Sequence, residues 1–518
     1  GGNTTNIAPN GRWDYRKYTD QLTYTDAILS YNDNFGDVSL GVIAGTSYQK
    51  TTYGKGVSVG TGTNGLLYPN EFYFQNLPQV VPVNSTIGSE LNKQALFINT
   101  TIGFKETFFL DFSGRNDWAS TLAGTGNESY FYPSVGFSGI ISEMFTMPEA
   151  ISFAKFRVSL NKVGQEIPYN FIVPSNNVNG NGGVSRNTVQ PSENLKPEII
   201  TTREFGTNWR FLDDRIGFDA TYYNITSKDQ FLRVAALAGS GYNTRYLNIG
   251  EINNKGLEVI VDGTPIFTSN FKWKTALNFS RNVNTVIEVN PDNPDLIINT
   301  GSSEGYNAFF QAGGSIGDIY TQSFVRDDQG RIVLGANGAP RKTTTSRDDD
   351  ELNYRGNLNP TWSLGWTNNL DYNKWSLAFI VNGNFGGKAV SKTEAMLDEA
   401  GVSQRSADDR DQGFTAINAV AEDGTAVSQI DPELYYRTIG GRNGIMEPYV
   451  YSRTSVRLTQ MSLSYNTKFS NLDIPITFSL VGQNLLFFYV DAPFDPELAM
   501  STNRNAQSLD NFNVPATR

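Results

Sequence analysis

Most of the side chains that carry enzymatic chemistry are missing from this chain. Its 518 residues include no His and no Cys. That removes imidazole bases, Ser-His-Asp triads, His- or Cys-based zinc sites, thiol nucleophiles and disulfides. A chain without thiols also suits a compartment in which they would oxidise. Carboxylates remain. Asp408-Asp409-Arg410-Asp411 and Asp348-Asp349-Asp350 are dense enough to suggest calcium, but neither has the spacing or Gly hinge of a calcium loop, and both read as solvated loop charge. Gly60-Thr61-Gly62 and the NGNGG run at 179–183 have the composition of a phosphate cradle. Neither follows a strand and opens a helix, as that mechanism requires. No catalytic residue, metal or cofactor is expected.

Two other sets of side chains could bind rather than react. Tyr68, Tyr73, Phe74, Tyr169, Tyr242, Tyr306, Tyr435 and Tyr436 lie in or beside long polar segments, where rings could stack on sugar faces or grip peptide side chains. Loop packing is the simpler account of any one ring, whereas the set, lining an external cavity, would hold substrate contacts. Asp111, Arg115, Asp219, Glu258, Lys272 and Lys274 sit on strand positions opposite apolar residues. Charges there would be ruinous in a packed core but are expected against a wet lumen or a plug.

The elements that would position these residues are strands. Phe271, Trp273, Thr275, Leu277 and Phe279 alternate with Lys272, Lys274, Ala276, Asn278 and Ser280, the period of a strand with one apolar face. Trp362, Leu364 and Trp366, then Trp375, Leu377, Phe379 and Val381, repeat the pattern around a tight turn. About sixteen such runs are predicted, including ones at 305–312 and 317–325. Their connections alternate between short turns and loops of roughly ten to sixty residues, as outer-membrane barrels do with short periplasmic turns and long extracellular loops. Ser391-Lys392-Thr393-Glu394 predicts a capped short helix inside the longest loop. Aromatics make up 13% of the chain and charged residues 18%, and no apolar run approaches the ~18 residues of a spanning helix. The net charge of −11 argues against nucleic acid.

The fold class predicted is therefore all-β, a transmembrane antiparallel β-barrel in a Gram-negative outer membrane. A soluble sandwich gives the same alternation but has no reason to sort its loops by length. If the short turns are periplasmic, both ends of the chain lie outside. Parity then makes this an internal piece of a larger barrel, with no signal peptide visible at its start.

Particular stretches are similar to the C-terminal half of SusC/RagA-family TonB-dependent outer-membrane transporters of the Bacteroidetes type. They are LDFSGRNDWASTLAGTGNESYFYPSVGFSGIISE at 110–143, NLKPEIITTREFG at 194–206, Tyr222-Tyr223, NNKGLE at 253–258, RGNLNPTWSLGWTNNLDYNKWSL at 355–377 and YSRTSVRLTQMSLSY at 451–465. The resemblance implies that residues 1–518 are the C-terminal part of a barrel of about 22 strands. The plug, N-terminal extension, first strands and last strand would then lie outside this chain. It also implies TonB-dependent import of a bulky nutrient, with glycan favoured and peptide possible, through a plugged barrel capped by a SusD-like lipoprotein. A passive porin-like channel and a secreted all-β carbohydrate-active enzyme using paired carboxylates remain as alternatives.

Overall fold

The computed structural model describes residues 8, 10–78, 83–86, 88–168, 176–178, 183–192, 194–237, 239–302, 306–343, 353–469, 474–497 and 508–512. Fourteen long strands dominate. They are β1 (Asp14–Phe35), β2 (Val38–Gly60), β3 (Ser89–Phe104), β4 (Phe108–Ala119), β5 (Ser129–Ile140), β6 (Ile151–Gln165) and β7 (Glu198–Phe211). There follow β8 (Ile216–Lys228), β9 (Glu251–Phe267), β10 (Phe271–Glu288), β11 (Trp362–Tyr372), β12 (Trp375–Phe385), β13 (Ser455–Phe469) and β14 (Ile474–Val490). At 22 and 23 residues, β1 and β2 are about twice the ~9–11 needed to cross a bilayer, so half of each projects beyond it.

The chain packs as two units. One holds residues 1–138, 159–202 and 227–249, the other 139–158, 203–226 and 250–518. In the first, β1 through β4 pair antiparallel in chain order. One row across them is Leu29, Ala44, Ile98 and Gly114, while a row of the opposite face is Asn32, Gly41, Thr101 and Asp111. In the second, β9 through β14 pair in the same manner. The row Val259, Phe279, Leu364, Gly383 lies between two of the opposite face, Glu258, Ser280, Ser363, Asn384, which is polar throughout, and Ile260, Asn278, Gly365, Asn382, which is polar at two of its four positions. A one-residue slip would invert every side chain, so this sorting fixes the register.

Three of the predicted short turns are present between neighbouring long strands. Lys105 and Glu106 turn β3 into β4 at φ of 54° and 52°, and Asn373 turns β11 into β12 at 51°. Asp213 and Asp214 do the same between β7 and β8, with residues that tolerate the left-handed region better than branched ones. Gly45 answers a different need, since a Cβ there would stand 2.6 Å from Phe97 Cζ. It makes room for a ring on the polar face, over which Arg115 lies at 5.7 Å.

Two predicted strands are placed differently. Residues Asn307–Phe310 and Asp318–Tyr320 belong to a separate four-stranded sheet with Ile298–Ser302 and Tyr354–Asn357, and β10 pairs directly with β11. Among the described residues fourteen long strands are present, and the segments predicted at 305–312 and 317–325 are not among them. Ala308, Phe310, Ile319 and Tyr320 are all buried, so the segment is apolar because it is core, not because one face meets lipid.

The predicted helix forms as α1 (Lys392–Glu399), with Ser391 Oγ accepting from the Glu394 amide at 3.1 Å. Two further helices follow, α2 (Gln404–Gln412) and α3 (Pro432–Ile439). Asp408, Asp409, Arg410 and Asp411 thus lie on a helix and not in a loop; Ser403 caps its start and Gly413 ends it at φ 88°. These helices pack onto a core of Tyr306, Ile319, Phe324, Leu358, Val390, Ile439, Ile445 and Tyr449, among others.

Candidate functional site

The 388–449 insertion is organised around a buried carboxylate. Asp398 has no exposure; it accepts from Tyr449 Oη at 2.7 Å, from Ser403 Oγ at 2.5 Å and from the guanidinium of Arg405. Glu394, whose amide closes the α1 cap, accepts from the hydroxyl of Tyr451. Burial first, then the Asp398 carboxylate, pushes the Tyr449 hydroxyl far above its ordinary value. Such a hub holds a loop rigid, because removing one partner strands the others away from water.

The same packing decides the fate of the predicted loop aromatics. Tyr306 and Tyr436 are 2% and 6% exposed. Tyr436 donates to Asp409 Oδ2 at 2.8 Å, and Tyr435 packs against the same core. These three rings hold the insertion together. Tyr242 lies with the Arg186 guanidinium 5.6 Å from its centroid, and Tyr169 falls outside the described residues.

Tyr68, Tyr73 and Phe74 behave otherwise, at 62%, 43% and 52% exposed. Their loop is pinned from inside by fully buried Asn76. Its side chain donates to the Tyr68 and Glu71 carbonyls at 2.7 and 2.6 Å and accepts from the Tyr68 amide at 2.7 Å. Phe74 meets Trp13 and Tyr15 at 5.6 and 5.0 Å between centroids, and Phe72 meets Trp13 at 6.4 Å. The result is a fixed, exposed aromatic patch that includes Trp13, Tyr15 and Phe72, none of them among the predicted substrate contacts. The signal was available in the run EFYF at 71–74.

The predicted inward charges all lie on strands, and two of the six, Arg115 and Asp219, meet an opposite charge. Asp111 accepts from Thr101 Oγ1 at 2.7 Å. Arg115 pairs with buried Asp117 at 2.7 Å, and Lys93 bridges Asp117 and Glu166 at 3.1 and 2.8 Å. Tyr132 and Tyr130 donate to those two carboxylates. Asp219 takes both Nη atoms of Arg157, at 3.1 and 2.8 Å. Glu258 lines a cavity of about 340 Å³ with Asn278, Ser363, Asn382, Asn384 and Glu497. Lys272 covers Phe267 at 5.0 Å near the β9 to β10 turn, and Lys274 is exposed. Among the described residues no group of three or more acids could hold a metal, and Asp348, Asp349 and Asp350 lie outside them.

Comparison with known proteins agrees with this architecture. Residues 1–330 match the family described as TonB dependent receptor-like, beta-barrel. The chain is similar to TonB-dependent receptor P3 of Formosa agariphila, at 25% identity over 97% of the chain and 51% of the relative. It is also similar to TonB-dependent receptor SusC of Bacteroides thetaiotaomicron, at 24% identity over 61% of the chain and 31% of the relative. Its fold matches the solved structure of the RagAB peptide transporter with TM-score 0.71 and 17% identity, covering 97% of the chain and 55% of that one. The chain thus spans about half the length of the first of these relatives. With its strands sorted into apolar and polar faces, short turns and long loops, the chain belongs to the TonB-dependent receptor β-barrel family of the bacterial outer membrane.

Proposed function

We propose that the chain supplies barrel wall and extracellular loops to a SusC-like, TonB-dependent importer of a bulky nutrient, with a SusD-like lipoprotein as its lid. TonB would act through a region of the protein beyond this chain. The observation that carries the proposal is the rigid, exposed aromatic patch of Tyr68, Tyr73 and Phe74 on a long loop of a chain whose strands present a polar second face. Ring faces that are held in place lose little entropy on binding sugars, which favours a glycan. A peptide is the second reading, supported by the fold similarity to the RagAB peptide transporter. Asp111, Arg115, Asp219, Glu258, Lys272 and Lys274 would then face the lumen or a plug. Collapsing the proton gradient should stop uptake in cells expressing the receptor. Uptake that persists after collapse would favour passive diffusion and overturn the proposal.

A further inference from the structure

The loops of the first unit contain a second, differently charged site. Val189–Gln190, Thr244–Asn248 and Phe231–Ala235 form a small sheet, with Gln190 beside Arg245 in a parallel pair. Ser192 and Lys196 are tied to Thr244–Asn248. Ser192 Oγ donates to the Tyr246 carbonyl at 3.2 Å, and the Asn248 side chain exchanges two hydrogen bonds of 2.8 Å with the Lys196 backbone. Between them lies a cavity of about 560 Å³, lined by Gln190, Ser192, Asn194, Lys196, Arg245 and Asn248 among others. Its floor is fixed. Leu195 is 1% exposed in a core with Leu122, Tyr130 and Ile167, and Phe231 stacks on Tyr246 at 4.7 Å.

The described lining of this cavity carries two bases, Lys196 and Arg245, and no acid. Arg115, Arg157, Arg210, Arg405 and Arg457 each meet a carboxylate. Arg245 and Lys196 have no carboxylate within ion-pair distance among the described residues, although the chain carries 52 acids against 41 bases. The Arg245 Nε is buried without a hydrogen-bond partner, as are Gln190 Oε1 and Thr244 Oγ1. Glu198, the nearest described acid to Lys196 along the chain, accepts from the Phe231 amide at 2.6 Å; Glu193 lies outside the described residues. A partly buried guanidinium left without an anion is costly to keep, and its planar fork matches a carboxylate.

We propose that this cavity is an anion subsite that takes a carboxylate of an acidic oligomer, Arg245 and Lys196 supplying the charge and Gln190, Ser192 and Asn194 the polar contacts around it. The assignment deepens the import reading and rests on it for the direction in which the ligand travels. The shared chemistry is the carboxylate, which a uronic acid or an acidic peptide could bring.

The test uses the intact receptor and two matched pairs of probes, tetragalacturonate with its methyl ester and tetraglutamate with tetraglutamine. At least one charged probe should bind about tenfold more tightly than its neutral partner, and the preference should shrink as salt is raised. Preference in the first pair alone names a glycan; in the second alone, a peptide. Arg245→Gln should abolish the preference and Arg245→Lys retain part of it. Lys196→Gln, at an exposed position, should weaken the preference without touching the core. Equal affinity for charged and neutral probes in both pairs, or a preference that survives both glutamine substitutions, overturns the subsite. Gradient-independent uptake alongside an intact preference would overturn the import reading alone.

Discussion

Arginine placed at Leu277 should destabilise the receptor far more than arginine placed next door at Asn278. Leu277 is 40% exposed and pairs with Val261 and Trp366, exposed to 41% and 40%. It lies six residues beyond Phe271, the first residue of β10. At ~3.4 Å per residue and a tilt of ~40°, that is about 15 Å of vertical rise, near the middle of an apolar band about 25 Å tall. Leu277→Arg should therefore cost about 2–4 kcal/mol. Asn278 lies on the other face, opposite Gly365 and beside a cavity that also contains Glu258 and Glu497. Asn278→Arg should cost about 0–1 kcal/mol, since the new charge finds water and carboxylates. Denaturant unfolding of the receptor refolded into lipid vesicles measures both. Equal losses, or a larger loss at Asn278, would refute the assignment of faces.

Three other outcomes are expected. Asp398→Ala removes the shared acceptor of Arg405, Ser403 and Tyr449. It should cost about 3–5 kcal/mol, seen as faster hydrogen exchange across 388–449 with the long strands still protected. Tyr68→Ala and Phe74→Ala should each raise the half-saturating concentration for uptake about three- to tenfold at unchanged surface expression; unchanged uptake would remove the patch from the substrate path. Burial tends to raise the Glu166 carboxyl, but Lys93, a backbone amide and Tyr130 outweigh it and hold it below its ordinary 4.5. Its stabilisation is complete above that value and lost as pH falls through the lower folded one. Lys93→Met, which leaves the backbone amide and Tyr130 in place, should shrink this acid-dependent component in a pH series of unfolding midpoints.

Much of the wall was legible in the sequence because its signals are local. The alternation from Phe271 to Ser280, the turn at Asn373 and the cap at Ser391 each depend on residues within a few positions of one another. Two helices were missed although their signals were present. Ser403 precedes QRSADDRDQ, and Asp431 caps α3, which carries Pro432 in its first turn; acidic density in the first and paired tyrosines in the second are equally the composition of a solvated loop. The burial of Tyr306 and Tyr436 was not legible. It depends on a core assembled from segments as distant as Phe324, Val390 and Leu509, and nothing near either tyrosine distinguishes it from Tyr68. The segment at 305–325 misled for the same reason, as core strands and lipid-facing strands both call for apolar residues.

The core that joins Tyr306, Ile319, Phe324, Leu334 and Leu358 to the 390–449 segment constrains how such a receptor can exchange its loops. Phe324, Leu334 and Leu358 come from one segment and Ala395, Ile439 and Ile445 from the other, so the two must drift together while the strands beneath, selected by lipid, need not follow. Grafting the 388–449 insertion of a relative onto this chain by itself would set foreign side chains against Ile319 and Phe324. Grafting both segments as a matched set should transplant a folded module with its core intact.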